Sequence, residues 1–300
     1  MSRSNPTRFL DPAVLARIGN LELVARTVVE GFISGLHHAP YLGLSIDFAE
    51  HRAYMPGDDI RRIDWRLFGR TDRFFIKQFE ADTNTNFSVL LDISRSMDYG
   101  SVAITKLEYA KILSACLAYF CNQQRDRVGL ITFDSRIVDH VPPSAKHLDV
   151  ILHTLDRLTP GGQGSLVEPL RRISDHFQRR SIVALVSDFY EDPANVMEGL
   201  KYLIGRGNDV IVFHILDPAE LDFPDGDPGN FEDIESGERM PVIPKDVREE
   251  YRTLVEQHLA AINRNMTDAR VDYALLTTAQ PLDHALFHFL SNREALSRVR

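Results

Sequence analysis

Three oxygen-bearing side chains, Asp92, Ser94 and Ser96, stand at every second position directly after the apolar run Phe87-Ser88-Val89-Leu90-Leu91. A carboxylate with two hydroxyls suits a hard cation such as Mg²⁺, which takes few protein oxygens and keeps several waters. The same letters also describe a strand that ends in an Asx or Ser turn, so this run alone does not separate the two. Two more stretches do. Ser181-Ile182-Val183-Ala184-Leu185-Val186 is a second apolar run, and it too stops at an acid, Ser187-Asp188. Gly161-Gly162-Gln163-Gly164-Ser165 is a glycine-rich loop that offers a hydroxyl where a helix begins. A plain turn requires neither. Asp92, Ser94, Ser96, Ser165 and Asp188 are therefore the candidate cluster for Mg²⁺ or Mn²⁺.

Strands and helices alternate from Phe87 onward, and that alternation is what would position the cluster. A helical pattern covers 104–121. Arg127–Phe133 and Arg136–Val141 read as strands with only Asp134-Ser135 between them, so they must form an antiparallel hairpin. Helical patterns over 146–158, 166–179, 194–204, 245–266 and 281–291 are interleaved with strands at 181–186, 209–216 and 271–277. Residues 231–234 and 240–243 can pair as a ribbon around Ser236-Gly237. The fold class expected is α/β, an open, mostly parallel, doubly wound sheet with helices on both faces. In such sheets ligands bind beyond the carboxyl ends of the strands, where the strand order reverses. Asp92 and Asp188 both belong to that edge.

The chain before Phe87 is different. Asp11-Pro12 starts a short helix, with the acid as cap and Pro at the first helical position, and a second helix is expected over 21–33. Between 41 and 81 the pattern turns to short strands, 45–49 and 75–79, around the turn Pro56-Gly57. Asp58 or Asp59 can cap a short helix that carries Ile60, Ile63, Trp65 and Leu67. The expected division is 1–84, N-terminal helices and a short-strand collar, and 85–300, the sheet domain with an insertion at about 219–244.

Composition narrows the functions. The 300 residues are 44% hydrophobic and 26% charged, which suits a chain with a full core. A net charge of −9 argues against a nucleic-acid binder, whose surface needs a basic face. Cys116 and Cys121 sit five apart in a helical pattern and turn to different faces, so neither a disulfide nor a metal pair is favoured. No leader with an apolar core opens the sequence, and no apolar run nears the roughly 20 residues that cross a bilayer. A cytoplasmic protein without membrane insertion is expected.

D-x-S-x-S after an apolar strand, a glycine-rich hydroxyl loop and a second strand-end Asp together resemble the von Willebrand factor A domain. The resemblance implies a metal-ion-dependent adhesion site. Ser94 and Ser96 would ligate Mg²⁺ directly, and Asp92 and Asp188 would act mainly through water. Ser165 would stand where that family carries a Thr. A wider match resembles the bacterial family called domain of unknown function 58. It rests on Tyr54-x-Pro56-Gly57-Asp58-Asp59-x-Arg61-x-Ile63-Asp64-Trp65, Gly69-Arg70-Thr71, Asn230-Phe231-x-Asp233, Tyr251 and Tyr273-x-Leu275-x-Thr277. That resemblance implies a chaperone-like partner of a MoxR-type AAA+ ATPase, acting in remodelling or assembly of an unidentified client protein.

A protein-interaction module is thus the leading expectation, with Asp58, Asp59, Arg61, Asp64 and Trp65 forming a collar against the sheet domain or a partner. A metal-dependent phosphatase or other hydrolase is the rival. Phosphatases of the haloacid dehalogenase type need a second acid two residues after the first, and Ser94 occupies that position, where it cannot serve as a general acid. A metal-free interaction scaffold is the remaining alternative.

Overall fold

The structure is a computed structural model that describes residues 11–38, 50–53, 65–71, 73–78, 85–177, 180–223, 227–234, 237–283, 285–287 and 289. Asp11 caps the first helix, α1 (Pro12–Leu15), by accepting the Ala13 N–H at 2.9 Å, as its sequence anticipates. Helix α2 (Leu21–His38) runs past the expected end at 33, because Gly31 and Gly35 cost helix stability without stopping it. Strand β1 (Glu50–Ala53), helix α3 (Trp65–Thr71) and strand β2 (Phe75–Gln78) follow. β1 and β2 pair antiparallel, Glu50 opposite Gln78. The partner of β2 is therefore 50–53, and the strand expected at 45–49 lies outside the described residues.

Strand β3 (Asn86–Asp92) opens the main sheet, and a 3₁₀ turn (Arg95–Asp98) leads into α4 (Lys106–Gln123). Then come β4 (Arg127–Phe133), β5 (Ile137–Ser144), α5 (Leu148–Arg157), α6 (Val167–Ser174), β6 (Ile182–Ser187) and α7 (Pro193–Gly205). The chain continues through β7 (Asp209–Leu216), α8 (Pro218–Leu221), the ribbon strands β8 (Gly229–Glu232) and β9 (Arg239–Val242), α9 (Pro244–Asp268) and β10 (Asp272–Thr277). Residues 282–289 return to helix where described. By closeness in space, the described residues of 11–30 group with those from 85 onward, and those of 31–84 form a second unit.

The main sheet has the order β10-β7-β6-β3-β4-β5. β3 pairs in parallel with β4 and β6, β7 with β6 and β10, and only β5 is antiparallel. Phe87, Val89, Leu90 and Leu91 are fully buried, which is why β3 reads as a continuous apolar run. Each such side chain contributes roughly 1.5–3 kcal/mol by leaving water. Leu90 joins residues of α6, α7 and α9 on one face, and Phe87 meets Phe289 edge-on on the other. α4 covers that second face, and its burial nearly all round gives it no clear polar stripe.

From β3 the chain goes to β4 and β5 on one side, then crosses to β6 on the other. The strand order reverses between β3 and β6, so a crevice opens at their carboxyl ends. This is where Asp92 and Asp188 lie.

Candidate functional site

Leu91 pairs with Val186, so the ends of β3 and β6 are level and Asp92 comes beside Ser187. The Ser94 N–H donates to Asp92 Oδ1 at 2.8 Å, and Ser187 Oγ donates to Oδ2 at 2.6 Å. Both carboxylate oxygens are therefore held. The 3₁₀ turn curls the chain so that Ser94 Oγ and Ser96 Oγ stand 3.1 Å apart. Asp92, Ser94, Ser96 and Asp188 are all buried, none more than 8% exposed. Burial first, and then the charge of Asp188, pushes the Asp92 carboxyl up to about 7. Two carboxylates so placed call for a cation.

The donor set fits one. Neighbouring vertices of an Mg²⁺ octahedron with bonds of about 2.1 Å lie ~3.0 Å apart, close to the separation of the two hydroxyls. Among the described residues no group of three or more His, Cys, Asp or Glu could hold a metal. Hydroxyls would have to complete the shell, which favours a hard, oxygen-seeking ion.

The glycine-rich loop is stitched to the same edge. Gly161 N–H donates to Ile93 C=O at 2.6 Å, Arg95 N–H donates to Gly162 C=O at 2.9 Å, and Gly162 N–H donates to Asp134 Oδ2 at 3.0 Å. A Cβ on Gly161 would stand 2.8 Å from Asp134 Oδ2 and 2.9 Å from Ile93 O, so this approach needs glycine. Ser165 follows on the same loop, just before α6. Ser165 is half-buried, and among the described residues no hydrogen bond joins it to Asp92, Ser94, Ser96 or Asp188. Of the collar residues, Asp58, Asp59, Arg61 and Asp64 lie outside the described residues, and Trp65 is the first residue of α3.

After Asp188 the chain turns sharply. Phe189 takes a left-handed φ of 49°, a conformation that costs a bulky residue on the order of 1–2 kcal/mol. Its N–H donates to Ser187 Oγ at 3.0 Å, and its buried ring meets His214 edge-on. One hydroxyl therefore serves both strand ends, donating to Asp92 and accepting from Phe189.

Sequence reasoning missed the cation that is present. Lys106, the first residue of α4, is fully buried, and its ammonium donates to Asp188 Oδ2 at 2.7 Å and to Glu220 Oε1 at 2.5 Å. Burial pulls its pKa down, but Asp188 and Glu220 outweigh that, so it sits above the ordinary lysine value. Tyr99 and Tyr190 stand about the ammonium, with ring centres 6.0 and 5.8 Å away. Glu220 belongs to the short helix α8, whose cap Asp217 is fully buried. Asp217 accepts the Ser101 N–H at 2.9 Å, the Ser101 hydroxyl, the Ala219 N–H at 2.9 Å and the Thr278 hydroxyl at 3.2 Å. Lys106 is invisible to periodicity because it occupies a helix start, where a lysine ordinarily faces water. Asp217 had a visible cue, since Asp217-Pro218 ends a strand as the other two strands end, at an acid.

Uncharacterised proteins of Mycobacterium bovis and Mycobacterium tuberculosis are 26% identical over 289 residues, covering 94% of this chain and 90% of theirs. An aerotolerance-related membrane protein from Bacteroides fragilis, solved with multiple mutations to serine, has a similar fold. Its TM-score is 0.50 at 18% identity, covering 70% of this chain and 98% of that one. The SpRpn10 VWA domain is also similar, with TM-score 0.41, 13% identity, and 67% and 92% coverage. The family described as protein of unknown function DUF58 matches residues 50–261, which include the D-x-S-x-S run, Lys106, Ser165, Asp188 and Glu220. The chain belongs to that family, and its sheet domain shares its fold with the Bacteroides fragilis protein.

Proposed function

We propose that the β3–β6 edge is a Mg²⁺-dependent protein-interaction site. The observation that carries this reading is the pair of buried hydroxyls, Ser94 and Ser96, 3.1 Å apart beside two buried carboxylates. Ser94 and Ser96 would hold Mg²⁺ or Mn²⁺ directly, Asp92 and Asp188 would act mainly through water, and Ser165 would add the loop hydroxyl. A metal held by so few protein groups keeps open positions, and a partner carboxylate filling one makes a charge-assisted contact. The partner we assign is a MoxR-type AAA+ ATPase, in assembly or remodelling of a client protein in the cytoplasm, with Asp58, Asp59, Arg61, Asp64 and Trp65 as a second contact. Among the described residues no helix is long and apolar enough to cross a membrane.

Thermal melts with millimolar Mg²⁺ or Mn²⁺ test the metal. The melting temperature should rise for the native chain and stay put for Asp92→Ala, and a rise in neither contradicts the site. A pull-down from the host with Mg²⁺ or with EDTA tests the partner. Recovery of a MoxR-type ATPase only with Mg²⁺, and its loss in Ser94→Ala, is expected; no recovery under either condition contradicts the assignment. A second reading, a metal-free scaffold, has one observation in its favour: Lys106 already supplies a positive charge to Asp188.

A further inference from the structure

We infer that Lys106 is a built-in competitor for the metal, an ammonium that neutralises Asp188 until a divalent cation displaces it onto Glu220. This rests on the metal-site reading above and adds the residue that sets the site's affinity. The charges at the edge are unequal. Asp92 and Glu220 each lie within the field of Asp188, and Lys106 is the ammonium between Asp188 and Glu220. Without a metal the ammonium is required, because a buried carboxylate with no partner is strongly unfavourable. With a divalent ion beside Asp188, the same ammonium is a like charge a few ångströms away.

The second carboxylate gives it a place to remain. Glu220 lies on α8, after β7, and is the more exposed of the two partners at 14% against 2%. Tyr99 and Tyr190 flank the ammonium with their ring faces, which tolerate a cation that has lost one of its two ion pairs. Lys106 thus moves between two anions or one without meeting bulk water. The tight capping box at Thr105 and Glu108 fixes the backbone from which it reaches, so the exchange needs only side-chain movement.

Calorimetric titration with Mn²⁺ tests this on the full chain, comparing the native protein, Lys106→Gln and Lys111→Met. Lys106→Gln keeps a hydrogen-bond donor for Asp188 but removes the charge. Lys111 is the next lysine along α4 and binds the backbone carbonyls of Asp156 and Leu158, so it controls for a general loss of positive charge. The expected result is Mn²⁺ binding about tenfold tighter or more in Lys106→Gln, a difference of about 1.4 kcal/mol, and within about twofold of native in Lys111→Met. Should Lys106→Gln fail to fold alone, refolding with and without Mn²⁺ supplies the readout, and rescue by Mn²⁺ is expected. Equal or weaker binding in Lys106→Gln, equal tightening in Lys111→Met, or no rescue of an unfolded Lys106→Gln overturns the inference and leaves the metal site standing. Binding by Lys106→Gln but not by the native chain supports the inference and removes the metal from the native site. Binding by neither overturns both.

Discussion

Two ionic clusters in this protein have similar distances and opposite surroundings. In one, Lys106 lies between Asp188 and Glu220 at 2.7 and 2.5 Å. In the other, Glu168 on α6 accepts from Arg171 and Arg172 at 2.8 and 2.7 Å. The first is buried, with Lys106 at 0% and Asp188 at 2% side-chain exposure, while the second is 43–59% exposed. Hydrogen bonds from Arg171 and Arg172 hold the Glu168 carboxyl down at about 2, yet water and salt screen such pairs. Distance alone therefore does not rank them. Burial does, because a lost partner in the first cluster leaves a charge with no water to turn to.

The largest effect should come from Lys106→Met in metal-free buffer. Breaking a buried pair from one side costs about 3–5 kcal/mol. Urea unfolding should show it, and a midpoint equal to native would put the two clusters on a par.

Acid should expose the next difference. His214 is buried against Phe189 and Tyr273, and burial pulls its pKa from 6.5 down to about 3. In the unfolded chain it takes a proton below about 6.5 while the folded ring stays neutral. Its contribution is thus present above pH 6.5 and is lost as pH falls toward 3, on the order of a few kcal/mol in all. His214→Leu should flatten the fall in stability between pH 6.5 and 4, and an unchanged slope would contradict this account of the histidine.

Asp217→Asn should come third, at about 1.5–3 kcal/mol, since an amide cannot accept all the bonds that the buried carboxylate accepts. Hydrogen exchange should quicken at Ser101 and Ala219, whose amides lose their acceptor. Gly161→Ala should cost about 1–3 kcal/mol by crowding Asp134 and Ile93, and should weaken any metal response by loosening the Ser165 loop. At the bottom of the order, Glu168→Gln should leave the thermal midpoint where it is. A large drop there would mean that exposure does not govern these clusters.

The legibility of the sequence divides along the same line between what repeats and what does not. β3, β6 and β7 were readable because both faces are buried and their residues run apolar without a break. The β4–β5 hairpin was readable from the two-residue gap Asp134-Ser135. Asp92, Ser94, Ser96 and Asp188 stood out since acids and hydroxyls end apolar strands, and the strand order brings them to one crevice. The helix expected over 166–179 is shorter, Val167–Ser174, and the chain turns at Asp175. Lys106, Ser187 and Glu220 carry no periodic cue. Their roles come from register and from turns that only the fold closes. Ser187 is the plainest case: it was read as the residue before an acid, and its hydroxyl ties the two strand ends together.

In the proposed site a divalent cation sits on the Ser94 and Ser96 hydroxyls. The most direct measurement is a crystal of the native chain grown with Mn²⁺, with data collected at the manganese absorption edge. One anomalous peak is expected about 2.1–2.3 Å from both Ser94 Oγ and Ser96 Oγ. A fully ordered edge with no peak there, and with the Lys106 ammonium still on Asp188, would contradict it.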